Sequence, residues 1–376
     1  MIKVIFAGGK TGGHIFPAIS MATEFKRRFP GSQMVFVGTK DGLETRVVPR
    51  YGFRLLFVQS RGILRKSYLS NLLLVFYLLR GLYQALRILR RERPNLVVGT
   101  GGYVSFPVVM VASLVNIPTM IQEQNSYPGI STLFLAHFAD RVCLSYPESG
   151  RYFSSPSKLT IIGNPVRADL IHRERNRALK DFGLEQGKRT IFVFGGSQGA
   201  HAINTAFLKC LELVEYECQV LWQTGQRDFS NVSEEVKGKR IRCAVYPFIE
   251  DMGSAYAASD LVISRAGALT LAEITACGKP SILIPFPFAA ADHQRYNAEA
   301  LQRRGAARVI AQRDLTAEKL ASQIHSLLSD ETQLRQMAER SRRMGSPEAA
   351  ALLVDQMEKL LRKRTKRLPE TQKSGE

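Results

Sequence analysis

The chain alternates short apolar runs with longer amphipathic ones. Val4-Ile5-Phe6, Met34–Val37, Leu55–Val58, Leu96–Val98, Thr119–Gln122 and Arg141–Leu144 are each of strand length. Helical patterns lie between several of them, over Pro17–Phe29, Ser70–Arg91 (closed by Pro94) and Phe106–Leu114. The rhythm restarts after Gly163-Asn164-Pro165. Strands are predicted at Thr190–Phe194, Gln219–Gln223, Arg242–Val245, Leu261–Ser264 and Ile282–Ile284, and helices at Ala202–Val214, Asp251–Ala258 and Ala268–Ala276. Such alternation predicts parallel sheets covered by helices. Each half opens with a strand running into a glycine-rich turn and then a helix. The predicted fold class is therefore α/β: two doubly wound, Rossmann-like domains with a cleft between them, and ligands at the carboxyl ends of the strands.

The expected division is residues 1–164, then 165–345. A last helix is expected over 346–361, capped by Ser346 with Pro347 in its first turn and with Leu353, Met357, Leu360 and Leu361 on its apolar face. The basic stretch 362–376 is expected to be a disordered tail.

Length and composition add little to that picture, but charge adds more. A chain of 376 residues, 45% hydrophobic and 23% charged, can bury two ordinary cores. Its formal net charge of +19 calls for an anionic partner: phosphorylated substrates, nucleic acid or an anionic membrane surface. Five cysteines without a CxxC pair read as reduced, scattered thiols of a cytosolic protein. The longest fully apolar run, Leu72–Leu79, is far short of a membrane span, and no cleavable signal is read before the first strand.

Candidate chemistry concentrates in the turns. The stretch from Ser264 to Asn297 reads as a loop, a helix, a strand and a polar loop carrying Asp292, His293, Gln294 and Asn297. A helix that starts in a Gly/Ala turn presents backbone N–H groups and a positive dipole end to an anion such as a diphosphate. Glu273, in the second turn of that helix, is a carboxylate suited to ribose hydroxyls. The plain alternative is an ordinary buried α/β unit. Gly8-Gly9-Lys10-Thr11-Gly12-Gly13-His14 follows the first strand. It fails the Walker A pattern because Val4 stands at the first glycine position, and the dinucleotide fingerprint because Lys10 stands at the second. What remains is a loop rich in N–H groups ending in His14, a candidate general base, or simply a residue at a helix start. Gly195-Gly196-Ser197-Gln198-Gly199-Ala200 is the matching loop of the second half, and Ser197 can add a hydroxyl donor to a phosphate. Gly101-Gly102-Tyr103 lies in a third strand-to-helix turn. Glu123-Gln124-Asn125 follows a strand and is expected to emerge at the cleft edge, where amides read sugar hydroxyls.

With neither an Asp-x-Asp motif nor a His/Cys cluster at ligand spacing, no bound metal is expected. Diphosphate charge would then be met by helix N-termini, loop amides and Arg167. Between Arg61 and Arg93, apolar Ile63, Leu64, Leu69, Leu73, Phe76 and Tyr77 sit among Arg65, Lys66, Arg80 and other cations. That mixture suits the interfacial layer of an anionic membrane.

Taken in order, the stretches GGKTGGHIFPA, GTGGYVSFP, EQN, GNPVR, GGSQGA, FIEDM, SRAGALTLAE and PFP…DHQRYNA span residues 8 to 298. This ordered set resembles the MurG family of peptidoglycan N-acetylglucosaminyltransferases. The resemblance implies a GT-B fold and a metal-independent, inverting transfer of GlcNAc without a cofactor. The donor is UDP-GlcNAc and the acceptor is the 4-hydroxyl of MurNAc in lipid I, at the cytoplasmic face of the bacterial cell membrane. It implies that Thr11, Gly12, Gly13, Asn125, Arg167, Ser197, Ile249, Ala268, Leu269, Thr270, Leu271, Ala272, Glu273 and Gln294 line the donor site and that His14 is the base. Lys10, Gly101, Gly102 and Tyr103 are candidates for the acceptor diphosphate. The family usually carries a third glycine where Lys10 stands. It also implies that the last helix returns to the N-terminal domain. Rival readings are another lipid glycosyltransferase of the same fold, a UDP-GlcNAc epimerase, or a basic nucleic-acid-binding protein. The last lacks any RNP, zinc or helix-turn-helix signature, so no nucleic-acid partner is expected.

Overall fold

Alternate residues of the first strand point to opposite faces, and both faces are covered. Val4, Ile5, Phe6 and Ala7 have no exposed surface, as a central parallel strand requires. The computed structural model describes residues 1–60, 68–167, 170–171, 173–215 and 217–367, with side chains described except at 68–75 and 363–367. The chain forms two compact units, Met1–Pro165 with the chain from Glu348 on, and Val166–Pro347.

The first unit runs β1 (Lys3–Gly8), α1 (Gly12–Arg28), β2 (Gln33–Gly38), α2 (Glu44–Val47), β3 (Arg54–Phe57) and α3 (Tyr68–Glu92). It continues with β4 (Leu96–Gly101), α4 (Gly102–Leu114), β5 (Thr119–Glu123), α5 (Ile130–Leu135), β6 (Arg141–Leu144) and β7 (Leu159–Ile161). Its strand order is β3-β2-β1-β4-β5-β6-β7, and every pair is parallel. The chain reverses direction across the sheet between β1 and β4, the switch point where doubly wound sheets bind ligands.

The second unit runs α6 (Arg175–Asp181), β8 (Arg189–Phe194), α7 (His201–Cys210), β9 (Cys218–Gln223), α8 (Phe229–Glu235), β10 (Arg242–Tyr246) and α9 (Met252–Ala258). Then come β11 (Leu261–Ser264), α10 (Ala268–Ala276), β12 (Ser281–Leu283), α11 (His293–Arg303), β13 (Ala307–Val309), α12 (Ala317–Leu328) and α13 (Glu331–Met344). Its parallel order, β10-β9-β8-β11-β12-β13, places the switch point between β8 and β11.

In the first unit, Val4 and Phe6 pack with α1 on one face of the sheet. Ile5 and Ala7 pack with Ala85 and Leu89 of α3 and Val104 and Val108 of α4 on the other. α14 (Ala349–Arg367) joins the α1 face, where Leu353, Val354, Met357 and Leu360 enter the same core as Phe6, Ala18 and Phe25. This helix runs to Arg367, so residues 362–367 are helical where a disordered tail is expected. Arg and Lys are strong helix formers, and Arg362 pairs with Glu358 one turn back. The rest of the expected tail lies outside the described residues.

Two helix starts differ from expectation for one reason. Pro17 and Phe106-Pro107 read as first-turn signals, yet α1 begins at Gly12 and α4 at Gly102. Each proline is the sixth residue of its helix, where it removes one i→i−4 bond without ending the helix. The helices therefore open directly on the glycines, which brings their N-terminal N–H groups into the loops.

Candidate active site

The first loop is held from beneath by a carboxylate. Glu44 of α2 is 1% exposed. It accepts from the Lys10 N–H at 2.8 Å, the Thr39 N–H at 2.7 Å and the Thr39 hydroxyl at 3.0 Å. A Cβ at Gly9, Gly38 or Gly42 would lie 2.4, 2.4 or 2.0 Å from Glu44 atoms, so the clip needs glycine at all three places. Lys10 has φ +75°, backbone that costs an L-residue about 1–2 kcal/mol. That explains why glycine suits this position. The Lys10 ammonium lies 5.9 Å from the Tyr103 ring centroid, a cation–π distance. Thr11 is the N-cap of α1 but makes no side-chain cap, and its carbonyl takes the His14 and Ile15 N–H groups. The Gly12-Gly13 turn thus forms the positive end of a 17-residue helix.

His14 is the third residue of α1. Its Nδ1 lies 3.0 Å from the Thr100 carbonyl and 3.2 Å from Gln124 Oε1. Both partners are acceptors, so Nδ1 carries the proton and Nε2 is the basic nitrogen. The ring rests on the backbone of Gly101 and Gly102. A Cβ on Gly101 would stand 2.6 Å from Nδ1, and one on Gly102 would stand 2.9 Å from the Gly9 carbonyl. Both glycines have positive φ, +98° and +75°. Tyr103 is exposed, and its carbonyl accepts from Ser60 at 2.7 Å.

The expectation that Glu123-Gln124-Asn125 emerges at a site edge is only partly met. Glu123 and Gln124 are buried, 3% and 2% exposed. Glu123 accepts from Asn125 N and Nδ2 and from Gly129 N, and so shapes the loop after β5. Only Asn125 is half-buried. The reason is saturation: buried amides and carboxylates are retained where backbone groups satisfy them.

In the second unit the glycine loop follows β8. Gly199 (φ +75°) would place a Cβ 1.9 Å from the Thr224 carbonyl, so the loop lies directly on the backbone after β9. Ser197 is exposed at its tip. Gln223 ties this loop to the next. Its Nε2 donates to the Gly196 carbonyl at 3.0 Å, and its Oε1 accepts the N–H of buried Ile249 at 2.8 Å. Beyond β11, α10 starts at Ala268 on the N-cap Gly267 without a side-chain cap. Leu269, Thr270, Leu271 and Ala272 complete its first turn and a half. Glu273 follows, and its Oε2 accepts from the Tyr256 hydroxyl at 3.0 Å. Tyr256 is wholly buried, and burial first, then the facing Glu273 carboxylate, holds its phenol well above the ordinary range. It therefore stays a donor. Arg167 sits close enough to bias both Tyr256 and Asp251 electrostatically. Gln294 Oε1 accepts from Ala266 N at 3.2 Å and Phe286 N at 3.0 Å, pinning the loops after β11 and β12 together. Its amide N–H groups remain as donors.

The candidate residues thus form one cluster in each unit. Lys10, Thr11, Gly12, Gly13, His14, Gly101, Gly102, Tyr103 and Asn125 gather at the carboxyl ends of β1, β4 and β5. Arg167, Ser197, Ile249, Ala268–Glu273 and Gln294 gather about those of β8 and β11. Among the described residues no group of three or more His, Cys, Asp or Glu could hold a metal ion.

Two family models match this chain: the glycosyltransferase family 28 N-terminal domain over residues 4–144, and its C-terminal domain over 190–353. A relative from Chlorobaculum tepidum is named UDP-N-acetylglucosamine–N-acetylmuramyl-(pentapeptide) pyrophosphoryl-undecaprenol N-acetylglucosamine transferase. It is 44% identical over 360 residues, covering 95% of this chain and 98% of that protein. The protein of the same name from Desulforamulus reducens is 41% identical over 368 residues, 96% of this chain and 99% of that one. The chain belongs to this transferase family. The crystal structure of Acinetobacter baumannii MurG matches it with a TM-score of 0.79 at 28% identity, covering 95% of this chain and 99% of that one. The fold is GT-B, two Rossmann-like units, as the sequence predicts.

Within this transferase family member, sequence reasoning missed three supporting residues. Glu44, Gln122 and Gln223 are polar positions beside apolar runs with no motif of their own, whereas Gln124, read as a cleft-edge amide, is buried against His14. A fourth, Arg265, donates to the carbonyls of Ile284 and Pro285 at 3.1 and 3.2 Å and to Gln312 at 2.6 Å. It thereby fixes the Pro285-Phe286-Pro287 turn. Of the predicted membrane patch, Ile63, Leu64, Arg65 and Lys66 lie outside the described residues. Leu69 and Leu73 lie on α3, with side chains not described. Phe76 is 58% exposed, and Arg80 is exposed beside Leu79 and Tyr83. No helix among the described residues is long and apolar enough to cross a membrane.

Proposed function

We propose that this chain transfers GlcNAc from UDP-GlcNAc to the 4-hydroxyl of MurNAc in lipid I, with inversion, to give lipid II. The observation that carries this reading is the likeness, over nearly the whole chain, to transferases of that name. The site chemistry supports it. His14 Nε2 takes the proton of the acceptor hydroxyl while that oxygen attacks the anomeric carbon from the face opposite UDP. The bond from that carbon to the β-phosphate oxygen breaks, and UDP leaves with the electron pair. Its new charge is met by the N-terminal end of α10, the loop of Ser197 and Arg167. Because the Ile249 N–H is committed to Gln223, what Ile249 offers uracil is its carbonyl, an acceptor for the ring N–H. Glu273 binds the ribose hydroxyls. Gln294 and Asn125 orient the GlcNAc, with Thr11, Gly12 and Gly13 beside its diphosphate. Lys10, Gly101, Gly102 and Tyr103 serve the acceptor diphosphate. The exposed Phe76, Leu79 and Tyr83, with Arg80 and Arg87, suit a peripheral hold on the cytoplasmic face of an anionic membrane.

The direct test supplies labelled UDP-GlcNAc and a short-chain lipid I analogue to the full chain. A disaccharide-linked lipid and one UDP per transfer are expected, unchanged by a chelator. Consumption of UDP-GlcNAc without a glycosylated lipid would overturn the reading.

The ribose assignment has its own test. Glu273→Ala is expected to weaken UDP binding by roughly 10- to 100-fold, the scale of charge-assisted hydrogen bonds. Glu273→Gln keeps an acceptor for Tyr256 and should retain the thermal transition of the unit while still losing affinity. Calorimetric titration with UDP decides it, and unchanged affinity in both variants removes Glu273 from the ribose.

A further inference from the structure

We propose that Gln124 is a positioning residue that fixes His14 in its Nδ1–H tautomer and so leaves Nε2 as the nitrogen that accepts the proton. The inference rests on the proposed base role of His14. Gln124 is 2% exposed. Its Nε2 faces three oxygens: the Thr100 carbonyl at 2.7 Å, the Gln122 carbonyl at 2.9 Å, and Gln122 Oε1. All three accept, so the amide cannot turn over without setting oxygen against oxygen. Oε1 is therefore the end presented to His14 Nδ1, at 3.2 Å.

The orientation is itself buttressed. Asn164 Nδ2 donates to the Gln124 carbonyl at 2.9 Å. Asn164 Oδ1 accepts from Gln122 Nε2 at 3.0 Å and from the Ser145 hydroxyl at 2.7 Å. A buried ladder of neutral amides thus runs from Asn164 through Gln122 and Gln124 to the imidazole. The same Nε2 holds the Thr100 carbonyl, the second acceptor of His14, so Gln124 governs both.

The choice of amide over carboxylate has a chemical consequence. A neutral acceptor steadies the imidazolium that forms when Nε2 takes the proton. A carboxylate at the same distance would stabilise the imidazolium before substrate arrives and would occupy the base. The residues seen against the ring, Thr100, Gly101, Gly102 and Gln124, are uncharged. Charged or titratable groups on the surrounding elements are Lys10, Tyr103, Glu44 and Glu123. The Lys10 ammonium lies over Tyr103, Glu44 is engaged by Lys10 N and Thr39, and Glu123 is engaged by Asn125 and Gly129.

The test combines nitrogen-15 NMR of His14 with pH profiles of kcat/KM for the wild type, Gln124→Glu and Gln124→Met. In the wild type above neutral pH, the proton is expected on Nδ1 with Nε2 bare. An Nε2–H tautomer overturns the inference without any variant. Gln124→Glu should move the His14 titration, and with it the acid limb of the profile, upward by roughly 1–2 pH units, with activity recovered at higher pH. Gln124→Met should lower kcat by roughly tenfold or more across the range, with little change in the KM for UDP-GlcNAc. A His14 titration identical in all three proteins overturns the inference. If the NMR titration moves with residue 124 while the rate profile stays fixed, Gln124 positions His14 as proposed and the base role of His14 is what fails.

Discussion

His14→Ala is expected to lower turnover by roughly 10²- to 10⁴-fold, the usual contribution of a positioned general base. UDP affinity should change little, because the His14 ring is not among the groups proposed to hold UDP, and Ser197, Ile249, α10 and Gln294 belong to the other unit. The loss should appear in kcat and kcat/KM alike, the pattern of an interaction made in the transition state. Folding is not expected to confound the result. His14 is only half-buried, and removing its ring leaves the Thr100 carbonyl paired with Gln124 Nε2. Single-turnover transfer to a lipid I analogue, with UDP binding measured alongside, gives both numbers. Turnover within twofold of wild type would take His14 out of the base role and return the first loop to an anion-binding part only.

Ending the chain at Pro347 has the largest expected effect on stability. Leu353, Val354 and Met357 are 0% exposed and Leu360 is 6% exposed, all within the core that contains β1 and α1. Full burial of an aliphatic side chain contributes about 1.5–3 kcal/mol. Four of them come to roughly 6–12 kcal/mol, comparable with the whole stability of an ordinary domain. The Arg28–Asp355 ion pair at 2.5 Å adds little, since both side chains are partly solvated. The truncated chain should therefore lose the cooperative transition of the first unit and become protease-sensitive between residues 1 and 165. UDP binding by Ser197, Ile249, α10 and Gln294 of residues 166–347 should persist, weakened by the loss of Thr11, Gly12 and Gly13 from the diphosphate. Two intact transitions in calorimetry would contradict this account.

Much of the fold can be read from the sequence because its signal is local. Short runs of three to five residues alternate with helical patterns, and that alternation has few solutions. The edges are harder to read. β7 and β13 have three residues each with Thr160 or Arg308 in the middle, so no apolar run marks them, and their places come from pairing with β6 and β12. α12 and α13 are amphipathic, with Leu320, Ile324 and Leu327 or Leu334 and Met337 on their buried faces, but no motif marks them. At the site, glycines and His14 stand out because backbone geometry restricts which residues can serve. The buried amides do not. Gln122 and Gln124 flank an acid at the end of a strand, and nothing local distinguishes an amide facing solvent from one facing three carbonyls. Only the distant partners Thr100 and Asn164 make that distinction. Glu44 is hidden for the same reason, since its carboxylate serves Lys10, 34 residues away in sequence.

The return of α14 to the first unit also has a consequence for biosynthesis. One face of the first sheet, with Phe6, Ala18 and Phe25, is completed by residues near the end of the chain. At ~5–20 residues per second, the ribosome takes on the order of ten seconds or more to deliver α14 after Pro165 has been made. During that interval the second unit is being made while the first waits with an apolar surface uncovered. The N-terminal unit, made first, is therefore completed only when the last helix arrives, and the waiting surface is where chaperone binding or aggregation would begin.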